Sequence, residues 1–150
     1  MDMPKRPRPR PDHSGKPLTM LRDQDYRTLA AVRAAIRGFA HFTEQVVQNA
    51  GLTPQKHQVL VALRASENGE ISIGDLAKTL MLRNHSVSGL ADRLEALGLV
   101  DRARSKEDRR IVVLRLTNKA RDLMSSLSLT HRDELRRIRP LLISLLSQLD

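Results

Sequence analysis

Between Ile73 and Leu116 the spacing of apolar residues changes in kind, and this change limits the fold more than any other feature of the chain. Leu76, Ala77 and Leu80 recur at helical steps behind Ser72-Ile73-Gly74-Asp75, whose Ser-x-x-Asp spacing marks a helix N-terminus. Met81 to Asn84 reads as a tight break. Val87, Leu90, Ala91, Leu94 and Leu97 then resume helical steps, with Gly98 where a left-handed C-cap belongs. A charged stretch, Arg102 to Arg110, separates this helix from Ile111 to Leu116, which is rich in β-branched residues and predicts a strand. Two short helices followed by a charged hairpin are the parts of a winged helix-turn-helix.

The flanks are helical too. From about Asp23, Leu29, Val32, Ile36, Phe39 and Val46 fall on one stripe until Gly51, predicting a long first helix. Thr53-Pro54 supplies a capping hydroxyl and a proline at the first helical position, and Val59, Leu60 and Leu63 give the next helix a buried face. Beyond Thr117 the helical period returns through Ala120, Leu123, Met124 and Leu127. Pro140 is expected to break it, leaving Leu141, Leu142, Leu145, Leu146 and Leu149 to a last helix. The fold class is therefore mainly α with a small β-hairpin wing. One domain is expected over residues 23–150, with a winged-helix lobe at 53–117 and dimerisation helices at 23–50 and 118–150, after a disordered basic arm at 1–22 in which proline alternates with positive charge.

Composition narrows the partners. In 150 residues, 26 Lys and Arg against 17 Asp and Glu leave a net charge of +9, which favours a polyanion. Aromatics make up only 2% (Tyr26, Phe39 and Phe42), too few for a single-strand stacking platform, so double-stranded DNA is the better fit. No apolar run approaches the roughly 20 residues of a spanning helix, so no membrane partner is expected. The basic N-terminus lacks the apolar core of a signal peptide, and cysteine is absent; both suit a cytoplasmic protein without disulfide, thiolate metal site or thiol sensor. The 5 histidines (His13, His41, His57, His85 and His131) show no paired ligand spacing. Neither a phosphate-binding glycine loop nor a nucleophile elbow is present, so no enzyme activity, metal or cofactor is expected.

In a helix-turn-helix the first turns of the second helix face base edges, and here those residues are Arg83, Asn84, His85, Ser86, Ser88 and Gly89. Gly89 either admits close backbone approach to the groove or is only a costly helix residue, by roughly 1 kcal/mol against alanine. Arg93 either reaches a phosphate or pairs with the neighbouring Asp92 or Glu95. In the hairpin, Arg104, Lys106 and Arg109 add positive charge. Asp108 and Arg110 stand two residues apart, so the carboxylate either orients the guanidinium for the minor groove or belongs to a solvated turn.

The run Ile73-Gly74-Asp75-Leu76-Ala77 to Leu80, then Arg83-Asn84-His85-Ser86-Val87-Ser88-Gly89-Leu90-Ala91-Asp92-Arg93-Leu94-Glu95 to Gly98-Leu99-Val100, and Asp108-Arg109-Arg110 ahead of Leu116-Thr117, closely resembles the multiple-antibiotic-resistance regulator (MarR) family. The similarity in kind extends over about residues 24–150. The resemblance implies a transcription regulator, typically a repressor, that binds a palindromic operator as a homodimer through its first and last helices. Recognition helices would enter successive major grooves, and Arg110, oriented by Asp108, would read the flanking minor groove. It also implies a small-molecule effector, anionic or phenolic, between the dimer helices and the lobe, where Arg33, Arg37, His41 and His57 are candidate contacts. Lacking cysteine, the chain departs from the family members that sense oxidants through a thiol.

Overall fold

The computed structural model describes residues 20–149, so most of the expected basic arm, residues 1–19, lies outside the described residues. Helix α1 (Asp23–Asn49) is followed by α2 (Pro54–Ala65), strand β1 (Glu70–Ser72), α3 (Ile73–Leu80), α4 (Asn84–Ala96), β2 (Val100–Arg104), β3 (Val112–Leu116) and α5 (Asn118–Leu146).

Local chemistry explains most boundaries. The hydroxyls of Thr53, Ser72 and Thr117 each accept a hydrogen bond from the backbone N–H three residues on, at 3.3, 3.1 and 3.2 Å, and so cap α2, α3 and α5. Pro54 opens α2, where its missing N–H costs nothing. Gly98 closes α4 at φ +69°, the left-handed conformation expected of a residue just past a helix end. The break between α3 and α4 is less conventional. Met81, with φ +53° and its side chain 92% exposed, makes the left-handed turn without glycine, a conformation that costs an L-residue roughly 1–2 kcal/mol.

The sheet is antiparallel, in the order β1-β3-β2. β2 and β3 form the expected wing, pairing Val100 with Leu116 and Arg104 with Val112. β1 was not expected. It covers the other edge of β3, pairing Glu70 with Arg115, and the Arg115 guanidinium donates to Glu70 Oε2 at 2.6 Å across that pair. Inward-facing residues of the sheet and of α2, α3 and α4 make one core: Val59, Leu60, Leu63, Leu76, Val87, Leu94, Val100 and Leu114 have no exposure at all.

The C-terminal helix differs from expectation. α5 runs unbroken through Pro140 to Leu146 instead of dividing into two helices. Proline removes one N–H and leaves the carbonyl four residues earlier, that of Arg136, without its helical partner. Both residues lie on an exposed face, where water satisfies that carbonyl at little cost. α1 and α5 pack together, and the Thr28 hydroxyl donates to Gln148 Oε1 at 3.1 Å. Their remaining apolar surface is largely uncovered. Among the described residues, α1 buries only Thr28 and Val47, while α5 buries Ala120, Met124, Leu127 and Leu145.

Candidate nucleic-acid interface

Helix α4 has two chemically distinct faces. Val87, Leu90, Ala91 and Leu94 are buried against the core and fix its rotation. Opposite them, His85, Gly89 and Arg93 follow one another at four-residue steps along the outer face. Asn84 and His85 are exposed, and Ser86, Ser88 and Gly89 are half-buried. Arg83, also exposed, stands just before the helix as its N-cap residue rather than within its first turn. No atom lies within 4 Å of where a Cβ would sit on Gly89, so packing inside the chain does not require glycine there.

The sequence left Arg93 two possible partners. The structure gives both of them to another residue: Arg102, on β2, bridges Asp92 and Glu95, with its Nε 3.4 Å from Glu95 Oε2. Among the described residues Arg93 makes no ion pair, so its guanidinium is available on the outer face of α4. Sequence reading passed over Arg102 because its partners lie on a different element. The spacing of Asp92 and Glu95, at i and i+3 on one helix face, was the signal available.

The wing tip is shaped by hydrogen bonds within its own turn. Ser105 Oγ accepts from the backbone N–H groups of Glu107 and Asp108, at 3.2 and 3.5 Å, and Ile111 N–H donates to the Asp108 carbonyl at 3.0 Å. Asp108 then holds Arg110 three ways. Its Oδ1 accepts from Arg110 N at 3.0 Å and from Nε at 3.1 Å, while Oδ2 accepts from Nη2 at 3.0 Å. The geometry has features of both readings of Asp108 and Arg110: a bidentate fork holds the guanidinium, and the side chain is still 91% exposed in a surface turn. The guanidinium lowers the Asp108 carboxyl below its usual range, and the carboxylate raises Arg110 in return. Arg104, Lys106 and Arg109 line a basic hollow beside the tip with Ser105 and Arg115. The residues expected from sequence therefore form two groups, one on α4 and one at the wing.

Apart from these groups, a hollow lies between α1 and α2. A cavity of about 180 Å³ is lined by Ala40, Thr43, Glu44, Val47, Pro54, His57 and Gln58. Of the four expected effector contacts only His57 reaches it; Arg33, Arg37 and His41 are exposed elsewhere on α1. The His57 ring meets His131 of α5 edge to face, with centroids 5.2 Å apart, although nothing in their sequence spacing pairs them. Burial lowers both imidazoles below the usual histidine range; His131 also lowers His57, whereas a backbone hydrogen bond to Thr43 partly offsets the shift at His131. His131 Nε2 is buried without a hydrogen-bond partner among the described residues. No described helix is long and apolar enough to cross a membrane.

Residues 50–111, which include α2 to β2 and the wing tip, match the family model described as MarR family. The transcriptional repressor MprA of Escherichia coli K12 is 30% identical over 115 residues, 67% of this chain and 65% of that protein. The matched stretches span between 44% and 65% of the curated relatives' own lengths. AbsC, a MarR family transcriptional regulator from Streptomyces coelicolor, superposes with a TM-score of 0.64 at 28% identity, covering 80% of this chain and 81% of that one. A Staphylococcus aureus MepR mutant bound to an oligodeoxyribonucleotide shares the fold, with a TM-score of 0.67 at 21% identity over 83% of this chain and 98% of its own. With its recognition-helix and wing signature, its family-model match and a fold shared along most of its length, the chain belongs to the MarR family.

Proposed function

We propose that the chain is a sequence-specific DNA-binding transcription regulator that binds a palindromic operator as a homodimer and represses until a small molecule binds. The observation that carries this reading is the pair of groups on one lobe. A polar helix face offers hydrogen-bonding side chains to base edges, and beside it the wing presents an exposed guanidinium held in a single orientation by Asp108.

In this reading Asn84, His85, Ser86, Ser88 and Gly89 face the major groove, with Arg83 at its entrance. Arg93, Arg104, Lys106 and Arg109 meet phosphates, and Arg110 enters the minor groove. The free guanidinium of Arg93 supports the phosphate role. The open space over Gly89 supports close backbone approach to the groove. The exposed apolar residues of α1 and α5 support pairing of two chains through those helices, and MprA's description as a repressor supports the direction of control. As effector site, the cavity beside His57 offers a carboxylate, Glu44, and no lysine or arginine, so it suits a small neutral or phenolic molecule better than an anionic one.

The test is binding to DNA recovered with the protein, compared with random duplex. An operator preference above about a thousandfold agrees with specific regulation, and one below tenfold indicates nonspecific packaging of nucleic acid instead. Arg110→Ala is expected to weaken operator binding by about 1–3 kcal/mol with the fold intact. Unchanged affinity would remove the minor-groove role.

A further inference from the structure

We propose that Arg102 is a positioning residue that sets the angle between α4 and the wing. The inference rests on the DNA reading above for its consequence, but not for its geometry. Asp92 and Glu95 are the only carboxylates on α4, and Arg102 engages both. Arg102 stands two residues on from the fully buried Val100, on the same face of β2 but past the edge of the core, where its side chain is partly exposed. The bridge therefore ties the outer edge of the helix to the strand that leads into the wing, beyond the reach of the core.

The connection it spans is held from the other side by α5: Thr117 Oγ1 donates to the Gly98 carbonyl at 2.7 Å, Lys119 Nζ to that of Leu97 at 2.8 Å, and Thr117 N–H to that of Leu99 at 3.2 Å. α4 passes into β2 through Gly98, whose φ is +69° and whose Cβ position would meet no atom within 4 Å. Leu99 and Val100 anchor the inner side of the joint in the core. Only the Arg102 bridge ties the outer side among the described ion pairs. A planar guanidinium can engage two carboxylates at once, whereas a lysine ammonium offers a point charge without that fixed fork. Exposed pairs of this kind add little to folding stability, so the role of Arg102 lies in orientation.

Two further consequences follow for the DNA surface. The bridge offsets one of the two negative charges that Asp92 and Glu95 would otherwise turn toward phosphate, and it keeps both acids from pairing with Arg93. It also fixes how far the groove-facing residues of α4 stand from Arg110. A chain reading the major groove with one element and the minor groove with another needs that separation held constant.

The absence of cysteine makes the test direct. Spin labels placed through Ala96→Cys on α4 and Glu107→Cys in the wing report the separation by pulsed dipolar spectroscopy in the full chain. A narrow distance distribution is expected, and Arg102→Ala should broaden it; an unchanged distribution overturns the proposal. On DNA, Arg102→Ala should reduce operator preference by about tenfold, the scale of one lost base-pair contact, without flattening the salt dependence on random duplex. The double variant Asp92→Asn with Glu95→Gln should lose preference similarly, although it makes the protein more basic, and Arg102→Lys should recover part of the loss. Full operator preference in the double variant overturns the proposal. An equal fall on operator and random duplex with a flatter salt slope also overturns it, because it would make Arg102 a phosphate contact. If the unmodified chain shows no operator preference, the DNA reading fails, and the label distances still decide whether Arg102 holds helix and wing together.

Discussion

The lobe and the two long helices solve the burial problem differently. From α2 to β3 short elements enclose a complete core, with Leu60, Leu63, Leu76 and Leu94 fully inaccessible. α1 and α5 are each more than twice as long as α2, yet they leave large apolar side chains in solvent, including Ile36 at 57% and Ile143 at 53% exposure. The lobe is finished as a single chain. The long helices leave more apolar side chains uncovered than the lobe does, and this exposed surface is what supports the proposed pairing of two chains. In the proposed reading, a rigid lobe would keep the groove-facing side chains in register, while pairing through the open helical face would set the distance between two such lobes.

The largest expected effect breaks this comparison most sharply. Leu94→Ala should destabilise the chain by about 2–5 kcal/mol in chemical denaturation, because it opens a cavity in the closed core. The same truncation at the exposed Leu141 should cost well under 1 kcal/mol in the folding of one chain. Comparable losses at both positions in dilute monomer would show that the two regions do not differ as described.

Next in size is association. Ile143→Glu places a charge on the exposed apolar face of α5 and should raise the dimer dissociation constant at least tenfold, about 1.4 kcal/mol, in sedimentation equilibrium. Lobe folding should be unaffected. An unmodified chain that sediments as a monomer at micromolar concentration would count against pairing altogether.

Gly89→Ala separates folding from recognition within the lobe. No neighbour obstructs the added methyl, so the variant should gain roughly 1 kcal/mol of stability. Operator affinity should fall, since the methyl would stand where the proposed reading brings the backbone to the groove. A gain in both would leave Gly89 without a role in DNA reading.

The smallest effect concerns the histidine pair, where lobe and long helix meet. His57 and His131 are both lowered in the folded chain, so the unfolded chain binds protons first as pH falls. Stability should therefore hold above the ordinary histidine value, near 6.5, and decline below it until the folded-state values are passed. Thermal melts compared at about pH 7.5 and pH 5.5 should show the drop, and His131→Gln should reduce it.

How much was legible in the sequence follows the range of the interactions. The caps at Thr53 and Ser72, the left-handed Gly98 and the fork between Asp108 and Arg110 are all made within a few residues, and the sequence displays them directly. The apolar stripes of α2, α3 and α4 likewise predicted their buried faces. β1 escaped notice because three residues are too few to show alternation, and its partner strand lies 45 residues away. The continuity of α5 through Pro140 depends on solvent reaching the Arg136 carbonyl, which periodicity does not encode. The contact of His57 with His131, and the bridge from Arg102 to Asp92 and Glu95, join different elements and appear only once those elements are packed.

The most direct test of the central claim is the stoichiometry and specificity of binding to the duplex recovered with the protein. Two chains should bind each palindromic site, with a preference over random DNA of about a thousandfold or more that falls when one half-site is scrambled. A single chain per site, or a preference below tenfold that is indifferent to the second half-site, would contradict it.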